Sequence, residues 1–498
     1  MPRHHITILG GGISGLSSAF HLSRRFPDSL ITLYEKKSSL GGWVSSERVQ
    51  VRDPAGGSAE ILLESGPRTL RPNAKSILEL IHLLGLKDSI ITTPKSSAAA
   101  RNRYIQIPES QGLLTLPNSM MSVLSPPMRT LLLPHILKEP MTRANRPSGI
   151  ADESLDSFMT RRFGASFARL FGSALVHGIY AADSRKLSVR ATFPSLWVAE
   201  DRGWGSMVRG FLIPGKPTTP ELVDYELGDV PDMMKDVSVF SFRDGMSTII
   251  NALAHHVERR PNVRVVCGTG IESLNVNDGG HVELRTTAAE VVHPDYVVSA
   301  LPLPVLNTII TSSTASLPYL TANPSSSVTV INLVFLNVPG KPLHPPGFGY
   351  LIPRPLAGYS PENPGILGTV FDSCSLSAQD QPNRAPPQFA KMTMMLGGPY
   401  TITPSHVSLD AVLDRLRLHL TDPESDSPKV IPEPIFHRIH RHESCIPTPT
   451  PGHLERMAKL SAALSSEPWR GRLEVIGAGV RGVSLGDCVE SGKRSGAK

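Results

Sequence analysis

The stretch HITILGGGISG, from His5 to Gly15, decides how the chain begins to fold. Its first five residues form an apolar run of strand length, and glycines follow at once. From Ile13 to Leu22 apolar residues recur at helical spacing. The glycines at positions 10, 12 and 15 fit the pattern GxGxxG. In that pattern the glycines allow a tight strand-to-helix turn, close approach of the backbone to a pyrophosphate, and close packing of helix on strand.

A second strand is predicted at Leu30–Tyr34, and it ends in Glu35, twenty positions beyond Gly15. A carboxylate at this point can accept hydrogen bonds from the ribose of an adenosine. A glycine-rich turn in an unrelated α/β protein is the alternative interpretation, but such a turn requires neither the flanking strand and helix nor Glu35. The first 45 residues therefore predict a βαβ unit that binds a dinucleotide.

Length and charge limit the remaining possibilities. A chain of 498 residues is too long for one hydrophobic core, so two or three domains are expected. No run of 18 or more apolar residues is present, which argues against a spanning helix. The net charge of +6 is spread without blocks of like charge. It favours anionic lipid or a carboxylate-bearing substrate and argues against nucleic acid, although a soluble protein that is merely basic would look the same.

The four cysteines are scattered without a CxxC pair, so they predict neither a metal site nor a disulfide framework. The first strand begins by Ile6, and we therefore expect any targeting signal to be internal.

Several further elements follow from periodicity and turn residues. Residues 211–240 are rich in proline and acidic groups and predict an exposed loop, and residues 375–390 also read as a loop. Segments 325–335 and 364–400 are strand-rich, as in a large mixed sheet. The remaining predictions are helices at Ala74–Leu84 (closed by Gly85), Asp152–Leu175 and Ser247–Val257, and strands at Val263–Cys267, Val282–Arg285, Tyr296–Ser299 and Leu473–Ile476.

Two motifs extend the dinucleotide signal. Leu40-Gly41-Gly42-Trp43 follows Glu35 closely and resembles the extended signature of amine-oxidase-like flavoproteins, in which a glycine turn wraps FAD. Near the other end, the stretch from Gly477 to Gly492 resembles the flavin-contacting strand, turn and helix of the same class. There Val483–Leu485 open a helix, and Asp487 can cap it or hydrogen-bond near the ribityl chain. Two nucleotide-binding segments so far apart imply a discontinuous FAD domain.

The interior resembles one family within this class, the protoporphyrinogen oxidases. The resemblance spans nearly the whole chain and departs from the family at Ser65. It rests on ESGPRTLRP (64–72), RNRY (101–104), HGIYAADSRKLS (177–188), FPSL (193–196), GFGYL (347–351), LGT (367–369) with Asp372-Ser373, MLGG (395–398), and CIP (445–447) with Gly452-His453.

The resemblance implies roles for individual residues. The residues implied to bind FAD are Gly10, Gly11, Gly12, Ile13, Ser14, Gly15, Glu35, Lys36, Trp43, Gly66, Pro67, Arg68, Thr69, Ile271, Ala478, Val483, Ser484 and Leu485. The residues implied to bind the tetrapyrrole are Arg103, which would pair with a propionate, Gly178, Phe348, Leu351 and Met395. No side chain is implied as a catalytic acid or base, and no metal is expected. Phe348, Leu351 and Met395 could equally be core residues, and Arg103 could be a surface arginine.

The fold implied is α/β, with a discontinuous Rossmann-like FAD-binding domain, an inserted mixed-sheet substrate domain and a helical membrane-associating domain. The expected boundaries are 1–97, 213–300 and 451–498 for the FAD-binding domain, 98–212 for the helical domain with the substrate channel, and 301–450 for the substrate-binding domain.

The activity implied is oxidation of protoporphyrinogen IX to protoporphyrin IX by non-covalent FAD, with oxygen as acceptor and hydrogen peroxide as product, the penultimate step of haem biosynthesis. The resemblance also implies a peripheral protein of the mitochondrial inner membrane, attached through residues between about 110 and 215. A homodimer and contact with the next haem-pathway enzyme are implied partners. Two alternatives stay open: another flavin oxidase or desaturase acting on amines or carotenoids, and a non-catalytic FAD-binding scaffold.

Overall fold

The computed structural model describes residues 4–52, 57–108, 110–215, 224–277, 279–338, 340–382 and 389–496. It has a mixed α/β fold built around a five-stranded parallel sheet. The strands of this sheet come from distant parts of the chain, in the spatial order Leu473–Val475, Tyr296–Ser299, His5–Leu9, Leu30–Glu35 and Val263–Cys267. The βαβ unit predicted from the first residues is confirmed, with its helix at Ile13–Arg25.

The parallel sheet is covered on both faces, as its apolar strands require. Ile6 and Ile8 pack towards one cluster, which contains the helices Ile13–Arg25, Lys75–Leu83, Ser247–Glu258 and Leu485–Lys493. Leu9 and Val297 pack towards a second cluster. That cluster contains the small antiparallel sheet Ile271–Val276, Val282–Thr286 and Val291–Val292 together with the helices Leu303–Ile309 and His453–Ser465.

A seven-stranded sheet forms the other large layer, and we call it the mixed sheet. Its strands in spatial order are Phe436–Pro447, Ser325–Leu336, Phe389–Gly397, Ile366–Val370, Gly349–Leu351, Tyr104–Ile105 and Leu114–Thr115. One face packs on the helix Leu409–Leu420, through residues such as Leu333 and Met394. We call the opposite face the inner face.

Two smaller sheets complete the strands, and short helices fill the segment between Ala98 and Leu212. The smaller sheets are Ser46–Arg52, Ser58–Glu64 and Gln381–Pro382, and the pair Ile90–Pro94 and Val237–Phe242. The remaining α-helices are Ala98–Arg101, Met120–Val123, Met128–Lys138, Leu155–Phe163, Ala165–Phe167, Ser173–Tyr180, Val189–Thr192, Pro194–Arg202, Met207–Leu212, Val230–Met233 and Asp372–Ser375. The domain boundaries given above stay a prediction.

Two sequence predictions of local structure were wrong. The stretch 211–240 is no continuous loop, because Val237–Phe242 is a strand whose apolar residues are buried. Its alternating V-S-V-F-S-F pattern lay beyond the prolines and acids that suggested a loop, and residues 216–223 lie outside the described part. The helix predicted at Asp152–Leu175 is broken at Gly164, where φ is +97° and the chain turns before a π-helical segment, Ala168–Gly172.

Within the described ranges, no helix combines the length and apolar character needed to cross a bilayer, and no cluster of His, Cys, Asp and Glu has the arrangement of a metal site. The four cysteines are all free thiols. The predicted loop 375–390 includes 383–388, which the described ranges leave out.

Candidate cofactor and substrate site

The glycine turn at the start of the chain forms a cradle of bare backbone. Gly10 has φ of +98°, and its N–H donates to the carbonyl of Tyr34 at 2.8 Å. A Cβ on Gly15 would lie 1.9 Å from the carbonyl oxygen of Gly10, so helix and turn touch as the motif requires. The helix starts at Ile13 with Gly12 as N-cap, and no side chain of the described residues bonds to its cap. Its first N–H groups are thus available to an anion.

A second glycine turn lies against the first. The N–H of Gly41 donates to the carbonyl of Gly11 at 2.9 Å. A Cβ on Gly42 would lie 3.2 Å from the Cα of Gly12, so Gly42 leaves little room for a side chain between the loops. Two turns 30 residues apart therefore combine into one surface of exposed main chain.

Glu35 lies beside this cradle and is buried. Its carboxylate accepts hydrogen bonds from the N–H of Gly11 at 2.7 Å and of Lys37 at 2.9 Å. Since a carboxylate has about four acceptor sites, Glu35 can still accept from a ribose hydroxyl. Lys36 is exposed next to it, and Ile271 follows a segment whose Thr269 N–H donates to the Glu35 carbonyl at 3.0 Å.

The C-terminal segment meets the same cradle. Gly477 lies against Ser14, where an added Cβ would be 3.2 Å from the Ser14 Oγ, and Ala478 packs in the core cluster of the helix Ile13–Arg25. Ser484 caps the following helix: its Oγ accepts from the Asp487 N–H at 3.1 Å, and Asp487 accepts from the Ser484 N–H at 3.0 Å. Asp487 therefore caps its own helix, one of the two roles that the sequence suggested. Leu485 packs against the same core cluster. Val483 packs against a different cluster, formed by the short helices between Leu155 and Trp197.

The segment Gly66–Thr69 connects the two halves of the site, which are the glycine turns and the mixed sheet. A Cβ on Gly66 would lie 2.5 Å from the carbonyl oxygen of Trp43, so the segment touches the second glycine turn. Arg68 is buried and pairs with Asp372 at 3.0 Å, a residue near the mixed sheet, while Pro67 and Thr69 are half-buried.

Glu64, directly before this segment, is a residue whose importance sequence reasoning missed. It is buried and accepts from the Met246 N–H at 2.8 Å and the Ser46 Oγ at 2.7 Å. Burial raises the pKa of Glu64 to about 7, against the opposing effect of those two hydrogen bonds. Its neighbours come from other parts of the chain, so no local pattern could have revealed it.

Across the inner face, the predicted substrate residues form a row. Leu351 pairs with Gly368, and Gly368 pairs with Met395 on the next strand. Leu351 and Met395 are half-buried, whereas the neighbouring Met394 is fully buried in the core of the opposite face. Leu351 and Met395 thus lie on a face that is open in part, and their role in binding substrate stays a prediction.

Gly178 faces this row from the helix Ser173–Tyr180. A Cβ on Gly178 would lie 2.7 Å from the Cδ2 of Leu351, so the helix approaches the row as closely as a glycine permits. Phe348, half-buried, lies beside Arg103: the Phe348 N–H donates to the carbonyl of Asn102 at 3.0 Å.

Arg103 is exposed beside the strand Tyr104–Ile105. Desolvation by the protein around it and, to a smaller extent, the positive charge of Arg71 lower the pKa of its guanidinium. No carboxylate within the described ranges pairs with it, so the local charge is positive.

Cofactor cradle and inner face meet at the edge strand Phe436–Pro447. There the ring of His442 packs edge-on to Trp43, with centroids 5.6 Å apart, and its Nε2 is 2.7 Å from the carbonyl oxygen of Ser65. His440 stacks with His442 and pairs through Val330 with the row that contains Met395. In the stretch FHRIHRHE (436–443), basic residues recur at the alternate positions Arg438, His440 and His442. This recurrence was the signal that could have identified the strand.

The residues present fit a flavin dinucleotide. The two glycine turns form a cradle that any side chain would fill, a buried carboxylate lies beside it, and a helix N-terminus points into it. The structure thus brings together the glycine turns, Glu35, Trp43, Gly66 and Gly477. Val483 packs against the buried cluster that contains Phe158 and Tyr180.

Comparison with known proteins agrees with this site. Residues 13–497 match the family model described as flavin containing amine oxidoreductase. The chain therefore belongs to the flavin containing amine oxidoreductase family.

Within that family the chain is similar to protoporphyrinogen oxidases. It is 31% identical to protoporphyrinogen oxidase of Schizosaccharomyces pombe, covering 99% of this chain and 98% of the relative. It is 32% identical to protoporphyrinogen oxidase of Homo sapiens, covering 98% and 97%. The family resemblance inferred from the sequence is confirmed.

Solved structures agree on the fold. A crystal structure assigned as a protoporphyrinogen oxidase from Exiguobacterium sp. 255-15 superposes with a TM-score of 0.73 at 21% identity, covering 99% of this chain and 98% of that one. Reduced UDP-galactopyranose mutase superposes with a TM-score of 0.63 at 14% identity, covering 99% and 93%. At these identities the superpositions establish the mixed α/β flavoprotein fold.

Proposed function

We propose that this chain binds FAD non-covalently and oxidises protoporphyrinogen IX to protoporphyrin IX in haem biosynthesis, with oxygen as acceptor and hydrogen peroxide as product. The observation that carries the proposal is that one strand, Phe436–Pro447, reaches both halves: His442 contacts Trp43 and the Ser65 carbonyl beside the cradle, and His440 lies in register with the row that contains Met395. Full-length similarity to protoporphyrinogen oxidases supports the substrate.

On the cofactor side, the glycine turns and the N-terminus of the helix Ile13–Arg25 would hold the pyrophosphate, and Glu35 the ribose. When bound, FAD supplies the two-electron acceptor that protein side chains lack. The remaining task of the chain is to bind the substrate, orient it and exclude water.

On the substrate side, Leu351, Met395 and Phe348 offer apolar contact to a macrocycle, and Gly178 leaves space beside them. The macrocycle is largely apolar, so these contacts bind it without fixing its rotation. Its propionates are charged, and Arg103 is a cation that no described carboxylate neutralises. Arg103 would therefore bind a propionate and determine which edge of the macrocycle enters the site first.

The direct test is to mix the purified protein with protoporphyrinogen IX and to follow porphyrin fluorescence together with peroxide. We expect both to rise. Oxidation of amines or carotenoids in place of the porphyrinogen would contradict the proposal, and so would bound FAD that no porphyrinogen reduces. Acid precipitation should leave the yellow chromophore in the supernatant, whereas flavin in the pellet would exclude non-covalent binding.

Arg103→Ala tests the propionate assignment. The variant should turn over protoporphyrinogen IX more slowly by about 100-fold, because displacement of the reacting carbon by about 1 Å costs that much. FAD content should be unchanged. A porphyrinogen with esterified propionates is the control, because it has no charge to lose. Equal losses on both substrates would show that Arg103 is structural.

We also propose peripheral attachment to the mitochondrial inner membrane through the helical segment between 110 and 215. Four apolar side chains described there are strongly exposed: Met121 (75%), Met141 (83%), Trp204 (75%) and Leu212 (79%). Met141, Trp204 and Leu212 belong to neighbouring elements, since the helix Met207–Leu212 contacts the turn Glu139–Met141, and Ala144 packs on Gly205, next to Trp204. Such a cluster suits shallow insertion into a bilayer surface.

The attachment is tested with vesicles of mixed neutral and anionic lipid. The double variant Trp204→Ser, Leu212→Ser should sediment with vesicles far less than the parent chain. Val430→Ser is the matched control, because Val430 is 87% exposed but lies outside this segment. Equal loss in the control variant would argue against the assignment. A homodimer and contact with the next enzyme of the pathway stay predictions.

A further inference from the structure

His177 is a buried histidine that the proposed chemistry does not use. It lies in the helix Ser173–Tyr180, directly before Gly178, and is only 2% exposed. Its ring lies between two elements: Nδ1 is 2.7 Å from the carbonyl oxygen of Ile352, and Nε2 is 3.0 Å from the hydroxyl of Tyr359.

These partners fix the tautomer of the imidazole. A carbonyl oxygen can only accept, so Nδ1 must carry the proton and donate to Ile352. Nε2 then has a lone pair, and the Tyr359 hydroxyl donates to it. Burial lowers the pKa of His177 to about 4, so this neutral form is present at physiological pH.

The position of these bonds is more informative than their strength. Ile352 directly follows Leu351, and His177 directly precedes Gly178, so the Nδ1 bond ties the two main chains together next to their closest contact. A Cβ on Gly178 would already lie 2.7 Å from Leu351, and the Ile352 N–H is in turn held by the Leu367 carbonyl at 3.0 Å. A shift of either element would therefore open or close the space over Leu351.

We infer that His177 is a positioning residue that fixes the distance between Gly178 and Leu351 and thereby the width of the space that receives the substrate. The inference deepens the proposed function and rests on it, since the substrate roles of Gly178 and Leu351 belong to that proposal. His177 touches no reacting atom; it acts through the main chain on either side of the gap.

Three variants separate this role from general stability. His177→Asn keeps a donor where Nδ1 stands, His177→Leu removes both bonds, and Tyr359→Phe removes only the bond to Nε2. With protoporphyrinogen IX, we expect His177→Leu to raise KM about tenfold, because an unsatisfied buried carbonyl lets the strand shift. His177→Asn and Tyr359→Phe should stay within about threefold of the parent KM. FAD content and kcat should change little in all three.

The kinetic result overturns the inference if His177→Asn is as impaired as His177→Leu, or if His177→Leu keeps the parent KM. A second measurement needs no substrate. In protein labelled with ¹⁵N-histidine, the ring nitrogens of His177 should show the Nδ1–H tautomer, and its signals should shift in Tyr359→Phe. An Nε2–H tautomer would overturn the inference even if the proposed function held. Absence of porphyrinogen oxidation with the expected tautomer would instead count against the proposed function alone.

Discussion

The two halves of the site are built differently. The cofactor side is a surface of main chain: the turns at Gly10–Gly15 and Gly41–Gly42 touch through backbone atoms, and a carboxylate satisfies one of their N–H groups. The substrate side is a surface of side chains, such as Leu351 and Met395, carried on separate strands. Where the turns and the helix touch, as at Gly15, a backbone surface has no room for an added atom, whereas a side-chain surface can adjust. Substitutions of the contacting glycines should therefore have all-or-none effects, whereas substitutions of side chains should have graded effects.

The largest effect is expected from Gly15→Ala. The added Cβ would lie 1.9 Å from the carbonyl oxygen of Gly10, and neither backbone can move without separating helix from strand. We expect a poorly folded protein without FAD, measured by the unfolding midpoint and flavin absorbance. Overpacking of this kind costs about 1–3 kcal/mol or more.

Gly12→Ala is the matched comparison within the same motif. The nearest atom to its added Cβ is 4.0 Å away, so the fold itself has room for the methyl group. This variant should fold normally and still bind FAD poorly, because the methyl group would occupy the phosphate position. Normal FAD content would show that the pyrophosphate does not lie over Gly12.

Next in size is Glu35→Ala. It removes the acceptor for two backbone N–H groups as well as the ribose partner, so the affinity for FAD should fall about tenfold or more. Glu35→Gln keeps one acceptor oxygen and should lose less. Affinity is measured by flavin fluorescence on the apoprotein. Glu433→Ala, at an exposed carboxylate, should leave it unchanged. Full retention of FAD by Glu35→Ala would show that Glu35 does not hold the ribose of FAD.

The same contrast explains what the sequence could predict. The cradle was predictable because its function depends on glycine spacing within a few residues and on one carboxylate at the end of the next strand. Leu351 and Met395 came only from the family resemblance, since nothing in their local pattern separates them from core residues. His177 and Glu64 were missed because their partners, Ile352 and Met246, lie about 180 residues away in each case. Long-range polar contacts leave no periodic signal.

A smaller effect is expected from Gly178→Ala, which should maintain or raise stability but weaken substrate binding. Alanine stabilises a helix interior relative to glycine by about 0.5–1 kcal/mol. The Cβ would lie 2.7 Å from the Cδ2 of Leu351, the end of a flexible side chain, so the clash can be relieved by pushing Leu351 into the substrate space. We expect an unchanged or higher unfolding midpoint and a severalfold higher KM. Gly178→Ala with Leu351→Ala should recover part of the KM, and no recovery would place the substrate elsewhere.

The last effect is confined to the pH dependence of stability and concerns Glu64, which borders both halves. Its carboxyl group accepts from the Ser46 Oγ and the Met246 N–H, and its carbonyl accepts from Asn332 of the mixed sheet. Its pKa is raised to about 7 from an ordinary 4.5, so the folded protein binds its proton more tightly than the unfolded chain does. The stability it contributes is complete below about pH 4.5 and is lost as the pH rises through 7. Between pH 6 and pH 8 this amounts to about 1 kcal/mol.

Glu64→Gln isolates this contribution, because the amide mimics the protonated carboxyl and does not titrate. Buried histidines such as His177 and His419 have lowered pKa values and act in the opposite direction below pH 6.5, but they are present in both proteins and cancel in the difference. Urea unfolding at a series of pH values should therefore show the variant gaining on the parent chain by about 1 kcal/mol from pH 6 to pH 8. If the free energy of unfolding depends on pH in the same way in both proteins, Glu64 is ionised in the folded protein. Arg68 and Lys391 would then offset the effect of its burial. In that case the border between the two halves would be held by charge, and its stability would depend on salt.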